Sequence, residues 1–275
     1  LSPATVDANL VPETAQEIEF GIDLGLVENR VTLEATYFVK TVQDLLESFV
    51  PAGSTGITSI LSNVGSLQNR GLELALNTTP VRNENFEWNA FVNFWTIDIE
   101  LTELNVPAFT RGGFGAGLGT YEFREGQSPT TIVGTPEILD ADGNGTGQFT
   151  VYGDANPDYQ IGIGSSFKLW NRLTASFLFH HSQGNDVINL TNLLSDGGGL
   201  TPDWNGDADN DGTPNGRDRA GDASRFVEDG SYWKLRELGV YYTFGNELIE
   251  KAFKGTISRV RIGASGNNLF LWSDY

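Results

Sequence analysis

Arg30–Lys40 reads RVTLEATYFVK, and its alternation decides the fold. Val31, Leu33, Ala35, Tyr37 and Val39 fall on one side of an extended chain, with Thr32, Glu34, Thr36, Phe38 and Lys40 on the other. A strand produces this because successive side chains point to opposite faces. Just before it, EIEFGIDLGL (Glu17–Leu26) sets Ile18, Phe20, Ile22, Leu24 and Leu26 against Glu19, Gly21, Asp23 and Gly25. The two runs are joined near Val27–Asn29, too short a link for anything but a hairpin.

The same period recurs along the chain. GLELALN (Gly71–Asn77) and FEWNAFVNFW (Phe86–Trp95) carry it, although Phe91 and Trp95 intrude on the polar side of the second. In YQIGIGSSFKLW, Ile161, Ile163, Phe167 and Leu169 oppose Gln160, Gly162, Gly164, Ser166 and Lys168. In LTASFLFHH, Leu173, Ala175, Phe177 and Phe179 oppose Thr174, Ser176 and His180. Near the end, Leu238, Val240, Tyr242 and Phe244 form one apolar side, while Arg261 and Ser265 oppose Val260, Ile262 and Ala264. The alternation slips at Lys234, Arg236 and Glu237, which predicts a bulge there. An ion-pair network along a polar wall is the preferred role for these three, ahead of contact with a substrate.

Connections alternate too. Those near Val27–Asn29, Pro80–Asn85, Trp170–Arg172 and Gly245–Gly255 are short; those near Leu46–Gly65, Ile99–Pro157 and Ser182–Gly230 are long and rich in Gly, Asp, Asn and Pro. Loops of that length are rare in compact soluble domains. Short turns at one end and long loops at the other match an outer-membrane β-barrel, with periplasmic turns and extracellular loops. Tyr37, Phe86, Trp88, Trp170 and Trp272, near strand ends, suit interfacial girdles. A soluble β-sandwich also alternates and stays open on pattern alone.

Composition agrees with strands. Glycine numbers 33 in 275 residues, well above the usual share, and supplies turns. No cysteine is present, which excludes disulfide and thiolate chemistry. The absence of methionine suggests a processed protein or a piece of a longer one. A formal charge of −19 argues against a nucleic-acid partner, whose phosphates need a basic surface. No apolar run approaches the roughly 18 residues of a membrane helix, a test to which a barrel is blind.

NVGSLQNRGLELALNTTPVRNENFEWNAFVNF, Asn63 to Phe94, resembles a segment of SusC/RagA-type TonB-dependent transporters: N-x-G-x-x-x-N-x-G-x-E-x-x-L, a polar turn, then F-x-W-x-x-x-x-N. Asn63, Gly65, Asn69, Gly71, Glu73, Phe86, Trp88 and Asn93 occupy its positions. Three further segments are similar in the same order: ETAQEIEFGIDLGLVENRVTLEATYFVKTVQDLL, GDANPDYQIGIGSSF, and the stretch from Phe226 to Tyr275. The resemblance implies an all-β, antiparallel transmembrane barrel of about 22 strands around an amino-terminal plug. About eight strands are countable within 1–275, which therefore reads as part of that barrel domain, with the plug, the TonB box and the final strands outside it. Two bare sheet edges would otherwise be left.

The implied function is active import of a nutrient, a glycan or an oligopeptide, across the outer membrane of a Bacteroidota-type Gram-negative bacterium. The resemblance also implies a SusD-like surface lipoprotein over the long loops and energy from the TonB complex. On this reading Leu33, Tyr37, Leu72, Leu74, Phe177, Phe179 and Val240 face lipid, while Glu34, Glu73, Lys168 and Arg261 face the lumen. A secreted calcium-binding β-sandwich or adhesin is the alternative. An enzyme finds little support: no G-x-S-x-G or phosphate-binding glycine loop occurs, and no carboxylate pair stands out.

One motif suggests a metal. DADNDGTPNGRD places Asp207, Asp209, Asp211 and Asp218, with the Thr213 carbonyl, at the spacing of a calcium loop around Gly212. The closing ligand is Asp rather than Glu, and a solvated acidic turn is the competing reading. DADGNGTGQFTV has Asp140, Asp142 and Asn144 but no closing acid, so a plain loop is expected. His180 and His181 are adjacent on one strand and point to opposite faces, which suits an aqueous-interface pair better than a shared metal.

Overall fold

A computed structural model describes residues 4–200, 206, 222–254, 256–257 and 259–275. The chain begins with β1 (Thr5–Val6), β2 (Thr14–Leu26), β3 (Val31–Phe49), β4 (Ile60–Arg82) and β5 (Phe86–Leu104). Four shorter strands follow: β6 (Phe109–Arg111), β7 (Thr120–Phe123), β8 (Thr131–Leu139) and β9 (Gly145–Asp154). Next come β10 (Tyr159–Leu169), β11 (Leu173–Gln183), β12 (Asp186–Ile188), helix α1 (Leu190–Gly197) and β13 (Val227–Asp229). The chain ends with β14 (Tyr232–Thr243), helix α2 (Asn246–Phe253) and β15 (Arg261–Ser273).

Eight of these strands form one curved wall in the order β15-β14-β11-β10-β5-β4-β3-β2, antiparallel throughout, with β1 added in parallel beside the far end of β4. The ladder register carries the alternation from strand to strand. Leu24, Leu33, Leu76 and Val92 fall in one row, which continues through Ile163, Phe179 and Leu235 to Phe270. Tyr37 and Leu72, Phe177 and Leu238, and Ala175 and Val240 pair likewise. Every residue expected to face lipid therefore lies on one face. Glu34, Glu73, Lys168 and Arg261 all lie on the other, opposite Ala75, Trp95, Glu87 and Thr243 respectively. A one-residue slip in any ladder would mix the two sets.

Among the described residues no second sheet covers the apolar face. Phe20 is 70% exposed, Ile262 61% and Phe270 58%, whereas a sandwich would bury such side chains in its interior. Much of the buried core lies at the loop end of the wall and beyond it: Val64 of β4 and Leu101 of β5 are fully covered there, as are Ile132, Val133 and Ala223 of the long connections. No helix among the described residues is long and apolar enough to cross a membrane.

At one end the strands are joined by tight turns. Between β10 and β11 lie Trp170, Asn171 and Arg172; Trp170 and Asn171 both have positive φ, 49° and 54°, and the Arg172 N–H donates to the Leu169 carbonyl (2.9 Å), a turn that follows the twist of its strands. The fourth short join holds helix α2 instead of a turn, so the chain between Gly245 and Gly255 departs from the expected pattern. At the other end β3, β4 and β5, of 19, 23 and 19 residues, run well past the roughly 9–11 that cross a bilayer. Irregularities fall between Leu178 and Phe179 and between Leu235 and Glu237, the second of them the predicted bulge.

The aromatic residues that interrupt the polar face are explained by glycines. Phe38 pairs with Gly71, Phe91 with Gly164 and Tyr241 with Gly263, and in each pair a Cβ on the glycine would lie 2.1–2.6 Å from a ring carbon. The ring lies over the neighbouring glycine and covers its backbone. Gly162, two residues from Gly164 on the same face, meets only Asn93 Cβ at 3.9 Å. Gly164→Val should therefore displace Phe91 and cost about 1–3 kcal/mol, while Gly162→Val should be tolerated. Equal thermal unfolding of the two purified variants would refute this account.

Candidate functional site

The ladder draws a set of acceptors together on the polar face. Thr36 pairs with Glu73, Glu34 with Ala75, Ala75 with Asn93 and Glu73 with Trp95. Their side chains, with Phe38, surround a depression of about 570 Å³. Among the described residues, Glu34 and Glu73 have neither an ion-pair partner nor a hydrogen bond. Asn69, on the same face of β4, has a buried Oδ1 with no donor. The surface thus offers carboxylates, an amide oxygen and two aromatic rings, while Lys40, the ladder partner of Asn69, pairs with Glu17 instead (3.9 Å).

On the apolar face the rings gather at two levels. Phe86, Trp88 and Phe167 stack at the turn end, where Trp88 Nε1 donates to Ser165 Oγ (2.9 Å). At the loop end His181 stacks on Trp233 (4.2 Å between centroids), with Tyr159 edge-on and Trp272 nearby. From Leu169 to Tyr159 is ten residue steps, about 34 Å along a strand, or roughly 25 Å of height at a tilt near 45°. That matches the apolar band of a transmembrane barrel.

A family profile described as "TonB dependent receptor-like, beta-barrel" matches residues 2–269. The chain belongs to that family. Among its relatives, TonB-dependent receptor P26 of Formosa agariphila is 30% identical over 97% of this chain and 31% of its own length. TonB-dependent receptor SusC of Bacteroides thetaiotaomicron is 23% identical over 99% of this chain and 30% of its own. The chain thus spans about a third of the length of these relatives. In solved structures the wall superposes on the RagAB peptide transporter with a TM-score of 0.73 at 21% identity, covering 96% of this chain and 32% of that one. These matches establish an outer-membrane β-barrel of SusC/RagA type: the apolar face meets lipid, the polar face the lumen, and the long connections lie outside the cell.

Within this receptor wall the motif residues divide by physical task. Asn63 ties strand ends together: its Oδ1 accepts the Val11 N–H (2.9 Å), and its amide donates to the carbonyls of Val11 (3.0 Å) and Asp44 (2.6 Å). Gly65 has no room for a side chain, since a Cβ would sit 1.9 Å from the Glu103 carbonyl. Gly71 accommodates Phe38, Phe86 and Trp88 belong to the turn-end girdle, and Glu73, Asn93 and Asn69 supply the luminal acceptors.

Other predicted groups fare differently. Lys234, Arg236 and Glu237 were expected to form ion pairs, yet none of the salt bridges among the described residues includes them. The bulge carries them out of step, so opposite charges do not meet across the ladder. His180 and His181 do face apart: His180 Nδ1 lies 3.1 Å from the Tyr232 hydroxyl, and His181 Nδ1 lies 2.7 Å from the Tyr232 carbonyl. Asp140 turns inward, accepting the N–H groups of Asp142 and Asn144 as a plain loop would. Asp207, Asp209, Asp211, Thr213 and Asp218 lie outside the described residues.

The connections expected to be loops have folded structure. β6, β7, β8 and β9 form a sheet of their own, and β12 pairs with β13. The two connections are bound together: Tyr152 donates to Asp222 (3.3 Å), and the Asp154 N–H donates to Asp186 (3.0 Å). Asp186 also pairs across its ladder with Asp229, and Asp154 and Asp158 are close. Burial pushes the Asp186 carboxyl above its ordinary 3.8, and the like charges of Asp229, Asp154 and Asp158 push the same way against the Asp154 N–H. The native junction therefore holds this proton more tightly than the unfolded chain does. Its stability is complete below about 3.8 and falls as pH rises from there through the raised native value. Asp186→Asn should protect amides 152–155 at pH 7 and flatten that pH dependence in hydrogen exchange; unchanged exchange would contradict it.

Proposed function

We propose that the protein containing this chain imports a nutrient, a glycan or oligopeptide, across the outer membrane, energised through TonB and capped by a SusD-like surface lipoprotein. The observation that carries this reading is the uncompensated luminal surface of Glu34, Glu73 and Asn69. Among the described residues, Asn69 Oδ1 is buried without a donor, which a passive water-filled pore has no need of, and the exposed carboxylates of Glu34 and Glu73 have no paired cation; a plug bringing Arg, Lys or backbone N–H groups would satisfy all three. RagAB, whose barrel wall this chain resembles, is a peptide importer, which supports a transport role for the shared wall.

The external charge bears on the ligand. Residues 99–157 and 182–230 hold 18 of the 36 acidic side chains and only 5 of the 17 basic ones, so the mouth repels polyanions. Uptake by whole cells tests the proposal, using fluorescent neutral trisaccharides and tripeptides. Accumulation of one class should vanish in a deletion strain and when the proton-motive force is collapsed, and the lipoprotein should copurify in mild detergent. Accumulation that persists without the proton-motive force would overturn energised import.

Calcium at Asp207, Asp209, Asp211 and Asp218, with the Thr213 carbonyl, belongs to the same proposal as an ion that pins the external segment. Replacing Asp209 and Asp211 by Ala should render that segment as protease-sensitive as chelation does. Equal protease resistance with and without chelator would leave only a solvated acidic turn.

A further inference from the structure

The external sheet contains a cleft. β7 and β8 are paired only at Thr120–Val133 and Tyr121–Ile132, so the β6–β7 and β8–β9 hairpins are joined at a narrow seam. The second hairpin is irregular, with register shifts between Gly134 and Glu137 and again before Leu139. Its tip comes to face the first hairpin across a cavity of about 500 Å³. Phe109, Thr110, Glu122 and Arg124 form one side, Gln148 and Phe149 the other.

Glu122 is only 5% exposed and is held by Arg124 through two hydrogen bonds of 2.8 Å. The other charges nearby are also satisfied: Arg111 pairs with Glu47, and Glu137 accepts the Gly147 N–H. Within the lining Glu122 and Arg124 neutralise one another, so the cavity wall has no unpaired charge to offer an ionic ligand. It does offer hydrogen bonds, because the Glu122–Arg124 pair leaves lone pairs and N–H groups unused. Among the described residues, the side chains of Thr110 and Gln148 also make no hydrogen bond. The edge of β9 is closed to an added peptide strand at this point, since the N–H groups of Gly147 and Gln148 already donate to Glu137 and Thr146.

We propose that this cleft is an external binding subsite for one or two units of a neutral saccharide. Pyranose rings present apolar C–H faces, which suit the rings of Phe109 and Phe149, and vicinal hydroxyls, which match the planar donor and acceptor pairs of a guanidinium and a carboxylate. The volume lies within the roughly 300–1,000 Å³ of small-ligand sites. The surrounding acid excess disfavours an anionic sugar. The subsite rests on the import reading and selects the glycan class within it.

The test uses the full-length protein in detergent, where binding needs no energy source. Calorimetry is run with neutral gluco-, manno- and galacto-configured trisaccharides, a trigalacturonate and a neutral tripeptide. At least one neutral trisaccharide should bind, with Phe149→Ala and Gln148→Ala each weakening it tenfold or more. Neither residue is buried, so the thermal unfolding of the variants should stay at the parent value. Binding that both variants leave intact, or binding of the tripeptide or trigalacturonate alone, overturns the subsite. If uptake by cells proceeds normally in Phe149→Ala while the trisaccharide affinity is unchanged, the subsite fails and import stands. Weakened binding in a protein that accumulates nothing in cells sinks import and keeps the subsite.

Discussion

Inside a bilayer no water is available to satisfy backbone N–H and C=O groups, so each must find a partner within the sheet. That requirement organises the wall. Eight antiparallel strands pair in an unbroken series, and the pairing transmits a period-two pattern laterally from β2 to β15. A single register error would turn a row of Leu, Ile and Phe toward the lumen and bring Glu34, Glu73 or Lys168 into contact with lipid, at a cost of several kcal/mol for the charges. The sequence pattern and the hydrogen-bond ladder thus enforce each other. Where the ladder shifts, as at the bulge between Leu235 and Glu237, the apolar set keeps its face on both sides of the irregularity: Leu235 pairs with Phe179, and Leu238 with Phe177.

The wall was legible in the sequence because alternation is a local signal, readable ten residues at a time. Leu33, Tyr37, Leu72, Leu74, Phe177, Phe179 and Val240 share a face because each strand keeps its own phase and the ladders align those phases. The external sheet was not legible. β6 has three residues and β7 four, too few to establish a period, and their partners are set by contacts that only the folded chain creates. Helix α2 had a readable signal in Leu248, Ile249, Ala252 and Phe253, which recur at helical rather than strand spacing. The absence of ion pairs at Lys234, Arg236 and Glu237 follows from the bulge itself: the slip that reveals it in sequence also removes the cross-strand alignment those charges would need.

The candidate site was half visible. The motif spacing marked Glu73 and Asn93, but Trp95 reads as an interruption of the polar face until the ladder sets it opposite Glu73. Phe91 reads the same way until Gly164 appears beneath its ring. An aromatic residue on a polar strand face and a glycine on its neighbour are two halves of one interaction, about seventy residues apart in the chain. Neither half announces the other without the register.

The external shelf differs from the wall in how it is stabilised. The wall exposes its apolar side to lipid and gains little from internal packing, whereas the shelf buries Ile132, Val133, Ala223 and Phe226 in a small core of ordinary soluble type. It is anchored through Leu101, whose N–H donates to the Gln127 carbonyl and whose own carbonyl accepts the Gly126 N–H. A connection that folds in this way holds its groups in fixed positions over the mouth of the barrel, as a binding surface requires. A lipid-facing sheet cannot supply such a surface, because its outward residues are committed to the membrane and its inward ones to the lumen. A binding surface outside the cell would therefore have to come from the segments that depart from the alternation.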